Sequence, residues 1–344
     1  MKFGPVATAE AAGLISAHTV RAGDTVVKKG QAILPEVAER LLAEGVDRLI
    51  AARLERGDIG EDEAAAALAE RLAGEGLRVD RPFTGRCNLF AETAGLLLVE
   101  RPVIDAVNGI DEAITVATLP PFRSVVPGEM VATVKIIPYA VAGSLLERAL
   151  AAAPAGPLRI APYRRRRVGV VSTLLPGLKE ATVAHTLRNL GRRLEPASAG
   201  IAAELRVPHE AAAVAEAVAR LCEEERAEIV VVFGASAIAD RRDVIPAGIA
   251  LSGGTVEHLG MPVDPGNLLL VGARGAVPVI GAPGCARSPR ENGFDWVLLR
   301  LLAGLAVTRA DIVALGVGGL LMEIVSRPQP RAGGHSEADA ESED

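Results

Sequence analysis

Residues 229–243 read Ile-Val-Val-Val-Phe-Gly-Ala-Ser-Ala-Ile-Ala-Asp-Arg-Arg-Asp. The first five form an unbroken apolar run closed by Gly234, the pattern of a short strand buried on both faces. Small residues follow, then a cluster of charge. In open α/β sheets ligands bind beyond the carboxyl ends of the strands, so a loop of this kind is where chemistry is expected.

The alternation continues outward from this stretch. Val168-Gly169-Val170-Val171 is a second buried run. The spacing predicts a helix over about 180 to 194. It predicts another over about 209 to 225, with Ala213, Val214, Ala217 and Val218 on one face. Strands at 268–271 and 277–280 come next, then a long helix over about 289 to 303. Strands alternating with helices predict an α/β fold for residues 163–326: a layered, mostly parallel sheet flanked by helices.

Smaller α+β units precede it. In residues 1–56, turn signals at Ala22-Gly23-Asp24 and Lys28-Lys29-Gly30 bracket Thr25 to Val27, a hairpin pattern. Pro35 opens a helix that ends near Gly45, and Val46 to Ala51 reads as a strand. In residues 57–162, Glu61, Asp62 and Glu63 load the first turn of a helix running to about Gly74, where they complement the positive end of its dipole. Val131 to Ile137 reads as a strand. Ser144 is the expected N-cap of a helix to Ala152, and Pro154-Ala155-Gly156-Pro157 is a turn. Residues 327–344 are rich in Pro, Gly, Ser and acid and are expected to be a disordered acidic tail or linker.

A net charge of −6 does not favour a nucleic-acid partner, which calls for a basic face. Cys87, Cys222 and Cys285 are too far apart and odd in number for a disulfide framework or a metal cluster. No apolar run reaches the roughly 18 residues that span a bilayer, and Met1 to Ala12 has no signal-peptide core. The expectation is a soluble cytoplasmic protein with neither a membrane nor a nucleic-acid partner.

Three segments leave strands in positions suited to a ligand: Ser172-Thr173, Gly234 to Asp243, and Gly281-Ala282-Pro283-Gly284-Cys285. A fourth, Asp264-Pro265-Gly266-Asn267, precedes a strand and could line the same crevice. Small residues let backbone N–H groups approach an anion closely. Carboxylates beside arginines could hold Mg²⁺ against such an anion, and equally fit a strand-to-helix turn with a surface ion pair. Ser288-Pro289-Arg290-Glu291 reads as a capping box. A helix N-terminus there could bind phosphate, although capping alone explains Ser288 and Glu291. Cys285 reads as a packing residue, His209 as a structural histidine at a helix start, and Arg164 to Arg167 as a solvated edge.

Over residues 166–322 the chain resembles the molybdopterin-binding domain shared by molybdopterin adenylyltransferases and molybdopterin molybdotransferases. The family's strand ending in Ser/Thr-Gly corresponds to Val168 to Thr173. Its strand followed by Pro and acids corresponds to Val207-Pro208-His209-Glu210. Its Gly-Gly loop with following acids corresponds to Gly234 to Asp243. Its two Pro-Gly loops correspond to Asp264-Pro265-Gly266-Asn267 and Gly281-Ala282-Pro283-Gly284-Cys285. The departures are Ala235 and Ala237 at Gly or Ser positions, His209 at an acid position, and Cys285 at an Asn position. They bear on catalysis more than on pterin binding. The first half resembles the leading part of a molybdotransferase more weakly. The whole is similar to the N-terminal part of bacterial proteins in which such a region precedes a nucleotidyltransferase.

The resemblance implies binding of molybdopterin, or its adenylate, by Ser172, Thr173, Gly234, Ala235, Ser236, Ala237, Pro265, Gly266, Pro283, Gly284 and Ser288. It implies Mg²⁺ at Asp240 and Asp243, with Asp243, Asp240 and Glu210 as the catalytic carboxylates of a Mg²⁺-assisted transfer of molybdate to the activated pterin. Two alternatives stand beside that enzyme: a non-catalytic binding module serving a nucleotidyltransferase or a molybdoenzyme-maturation protein, and a relative that hydrolyses nucleotides. Homo-oligomers are common among such relatives and are expected here.

Overall fold

The computed structural model describes residues 1–177 and 179–321. The expected tail at 327–344, and the end of the domain expected to reach 326, lie outside the described residues. The chain divides into two compact units, Met1–Pro162 and Tyr163 onward.

In the first unit, Lys2–Ala7, Arg48–Arg53 and Ile15–Ser16 form a three-stranded antiparallel sheet. Val20–Ala22 and Thr25–Val27 form the expected hairpin, and the helix Pro35–Ala43 buries Ala38 and Leu41. A second hydrophobic cluster gathers around the helix Glu61–Leu72, whose Ala64, Ala65, Leu68, Ala69 and Leu72 are all fully buried. Fully burying a leucine contributes about 1.5–3 kcal/mol, so this face anchors the helix despite an uncapped N-terminus. It packs on Arg86–Ala91 and Met130–Ile136, the central strands of a four-stranded antiparallel sheet. One local expectation is corrected. The helix expected to be capped by Ser144 starts at Gly143, with Ala142 at the N-cap and no side-chain cap. Ala140–Ala142 pairs with Asp58–Gly60, and the Gly143 amide donates to Gly57 O at 2.8 Å, so the N-cap falls two residues before Ser144.

The second unit is built on a six-stranded sheet in the order Gly200–Pro208, Arg167–Leu174, Ile229–Phe233, Val277–Ala282, Leu270–Arg274, Thr255–Leu259. The first four strands run parallel; Leu270–Arg274 pairs antiparallel with Val277–Ala282, and Thr255–Leu259 pairs antiparallel with Leu270–Arg274. Ile229–Phe233 sits near the centre with every residue buried. Helices Glu180–Leu194, Ala211–Glu223, Val244–Leu251 and Gly293–Leu302 connect and flank the strands. Val214, Val218 and Leu221 of the second of these pack on Val230, Val232 and Val279. No helix among the described residues is long and apolar enough to cross a membrane.

Two expectations about this unit are corrected. Ser172 and Thr173 are not in a loop: the strand is paired on both sides through Ser172 and continues to Leu174 against Val207 and Pro208, and both residues are buried. The last helix begins at Gly293, not 289. Its capping box is Asn292 with Asp295, while Ser288 closes a 3-10 turn over Gly284–Arg287. The carbonyls of Ala286, Ser288 and Arg290 all accept from the guanidinium of Arg193. That arrangement holds residues 286–290 as a loop.

Candidate functional site

The strand register brings the candidate segments to one edge of the sheet. Ser172 pairs with Phe233, Phe233 with Ala282, and Thr173 with Val207. Leu270, which opens its antiparallel strand, pairs with Gly281. The loops after Leu174, Pro208, Phe233 and Ala282, and the one before Leu270, therefore leave from the same end.

Hydrogen bonds tie four of these segments together. Thr173 Oγ1 accepts from the Ala235 amide at 2.7 Å and lies 2.8 Å from His209 Nδ1. The other imidazole nitrogen, Nε2, is 2.9 Å from Ser236 Oγ. The Arg287 guanidinium donates to Gly234 O at 2.9 Å and to Thr186 Oγ1 at 2.9 Å, and lies over the Phe233 ring. Burial lowers the pKa of Arg287. The strand must end in glycine, since a Cβ at Gly234 would stand 2.6 Å from both Ile245 Cδ1 and Ser236 O.

A second anchor fixes the 283–292 loop. Arg193 Nε pairs with Asp295 Oδ1, with side chains only 8% and 15% exposed, so the pair is largely desolvated. Burial pushes the Asp295 carboxyl up, and Arg193 opposes that shift. Asp295 Oδ2 accepts the Asn292 amide at 2.8 Å. Together these bonds leave some amides open. Among the described residues, those of Ser236 and Ala237 in one loop, and of Gly284 in the other, have no acceptor.

The carboxylates have protein partners. Asp243 is the N-cap of Val244–Leu251: Oδ1 accepts from the Val244 amide at 2.7 Å, and Oδ2 from the Ala239 amide at 3.1 Å. Asp240 Oδ1 accepts from the amide and Nε of Arg242, and its pKa is lowered by that side chain. Glu210 precedes the helix Ala211–Glu223 and is exposed, without a capping bond. Among the described residues no three His, Cys, Asp or Glu side chains are grouped to hold a metal. Mg²⁺ typically takes one or two carboxylates plus substrate oxygens. By that measure the exposed Asp240 fits a metal better than Asp243.

No family model matches the chain, and no curated protein does. Among solved structures, the chain is similar to the molybdopterin biosynthesis enzyme MoaB of Thermus thermophilus, at 17% identity and a TM-score of 0.27, over 40% of this chain and 97% of that one. It is also similar to the molybdopterin biosynthesis MoeA protein of Pyrococcus horikoshii, at 13% identity and a TM-score of 0.30, over 88% of this chain and 75% of that one.

The Pro265-Gly266 loop lies against the start of the last helix. Pro265 O accepts the Gly293 amide at 2.9 Å, and Gly266, at φ 142°, would bring a Cβ within 3.0 Å of Gly293. That first helical donor is thereby used within the protein. Pro283 is buried and Gly284 exposed. The Cys285 thiol is pushed up by burial, which suits packing better than nucleophilic attack. Sequence reasoning passed over Arg193 and Arg287, and set His209 aside as structural. Arg193 lies in the last turn of its helix, where basic residues are expected on dipole grounds alone. Its partners stand about 100 positions away, so nothing local marks it.

Proposed function

We propose that the second unit binds the phosphate of a pterin dithiolene, molybdopterin or its adenylate, and that the chain serves molybdenum-cofactor assembly as a molybdotransferase. The observation that carries this reading is the meeting of the loops after Phe233 and Ala282 at one sheet edge, where Ser236, Ala237 and Gly284 present unbonded amides. Amides fixed in this way act as partial positive charges toward an anion. The order of strand-end motifs from Val168 to Cys285 supports the same ligand. In this reading Ser172 and Thr173 act from within the sheet, with Thr173 aligning the Ala235 loop, and Ser288 shapes the far loop. Mg²⁺ would be held by Asp240 as it releases Arg242, and would offset the charge between ligand and molybdate. Asp243 fixes the loop that presents Asp240, and Glu210 follows the neighbouring strand end at the same edge.

A second reading is a binding module that hands cofactor to a nucleotidyltransferase. It is favoured by His209, which stands at an acid position and bonds hydroxyls on both sides. The test is the oxidised fluorescence of pterin retained by the purified chain, followed by molybdate transfer with and without Mg²⁺. Retained pterin with Mg²⁺-dependent transfer supports the enzyme. Retained pterin without transfer supports the module, and no pterin rejects both.

A further inference from the structure

The first unit contains a cavity of about 660 Å³, lined by residues from Met1 to Tyr139. That volume suits a small organic ligand. The chain has only five lysines, and two of them, Lys29 and Lys135, line this one cavity. Lys135 Nζ donates to Thr84 O and lies 3.7 Å from Glu61 Oε2, with the two side chains 29% and 21% exposed. Burial raises the pKa of Glu61, while Lys135 and Lys29 act in the opposite sense. Among the lining side chains two ammonium groups face one carboxylate, and the neighbouring Asp62 carboxylate accepts from the Gly85 amide. The frame around them is fixed: the Glu61 amide donates to Tyr139 O at 2.9 Å, and the Tyr139 hydroxyl donates to Ala17 O. Phe3 and Ile137, each 58% exposed, form an apolar part of the wall. A positive interior with an apolar wall fits an anion that carries an apolar body.

We propose that this cavity binds a small organic anion, a phosphate monoester or a carboxylate, with Lys29 and Lys135 on its charged end and Phe3 and Ile137 against its body. This site is separate from the pterin reading of the second unit and does not rest on it. Phenyl phosphate and benzoate are the probes, titrated into the full chain labelled with ¹³C at its methionine methyls and held at constant ionic strength. Among the described methionines, only Met1 lines the cavity. Its methyl signal should shift saturably with at least one probe, and the tighter probe identifies the charged group. A charge-assisted contact is worth about 1.5–3 kcal/mol, so Lys29→Gln and Lys135→Gln should each weaken binding about tenfold or more. Lys28→Gln should change nothing. Glu61→Gln should tighten binding, an opposite sign that misfolding would not produce. Three results would overturn the proposal: no saturable shift with either probe up to about 10 mM, a Kd of millimolar order being the weak end of specific binding; equal losses in Lys28→Gln and Lys29→Gln; or a shift of Met261 in place of Met1, lost in Ser236→Ala.

Discussion

Ser236 Oγ stands 2.9 Å from His209 Nε2, although the residues are 27 positions apart and leave different strands. The contact is fixed from behind, where His209 Nδ1 meets Thr173 Oγ1 at 2.8 Å. Two proton arrangements satisfy the chain. Either Thr173 donates to Nδ1 and Nε2–H donates to Ser236, or Nδ1–H donates to Thr173 and Ser236 donates to Nε2. In both, Thr173 still accepts from the Ala235 amide. The buried threonine therefore organises the loop, and the histidine links it to the neighbouring strand end.

That hierarchy gives an order of stability. Thr173→Val leaves the part-buried Ala235 amide without an acceptor and should cost about 1–3 kcal/mol. His209→Ala removes two half-exposed contacts and should cost about 1 kcal/mol or less. Urea unfolding of the two variants measures the difference. A larger loss in His209→Ala would show that the imidazole, not the hydroxyl, holds the loop.

Arg193 should be the costlier residue to lose. Arg193→Met strips the guanidinium from Asp295 and from the carbonyls of Ala286, Ser288 and Arg290. An uncompensated buried charge costs about 3–5 kcal/mol. Asp295→Asn keeps a polar partner at the N3 position of the helix and should cost less. Thermal melts should rank the pair in that order, and a loss below about 1 kcal/mol in Arg193→Met would mark the ion pair as a surface contact.

The strand Ile229–Phe233 and the helix Glu180–Leu194 were legible because their apolar patterns are local and strong. Residue pattern alone marks neither Gly200–Pro208 nor Thr255–Leu259 as a strand, and only the family resemblance points to the end of the first, at Val207-Pro208. Both are edge strands with alternating exposure, and carry Glu204, Arg206, Glu257 and His258 where a central strand would be apolar. Ser288 fitted a capping pattern but lost it to Arg193, whose reach across about 95 positions no local pattern carries. The segments that meet at the sheet edge were legible as strand ends. The His209 link depends on which strands are neighbours, and that is decided by the whole sheet.

Asp311 makes stability depend on pH in a predictable direction. Its carboxylate accepts from the Thr308 hydroxyl and amide in a capping box, and the hydroxyl bond is the main cause holding its pKa below the usual value. A depressed folded pKa contributes stability that is present above the unfolded value and lost as pH falls through the folded one. Asp311→Asn should therefore cost about 1 kcal/mol near pH 7, and the gap from wild type should close below about pH 4. Chemical unfolding at a series of pH values checks this. A gap that widens toward low pH would contradict the assignment.

Asp240 and Asp243 lie three residues apart but carry different loads. Both oxygens of Asp243 accept backbone amides, from Val244 and Ala239, whereas Asp240 is exposed and holds only Arg242. Asparagine caps helices about as well as aspartate, but its amide group cannot accept the second N–H. Asp243→Asn should therefore lose about 1 kcal/mol of stability and leave the Mg²⁺ requirement of pterin-phosphate binding unchanged. Asp240→Asn should do the reverse: stability stays within about 0.5 kcal/mol, as for most exposed ion pairs, and the Mg²⁺ needed for half-maximal binding rises several-fold. The measurement is pterin binding titrated against Mg²⁺ for the wild type and both variants, beside their unfolding curves. If Asp243→Asn abolishes the Mg²⁺ dependence while its stability holds, Asp243 is the metal ligand and its capping bonds are secondary. If neither variant alters the Mg²⁺ dependence, the metal is held by the ligand's own oxygens, and both aspartates serve only to shape the loop.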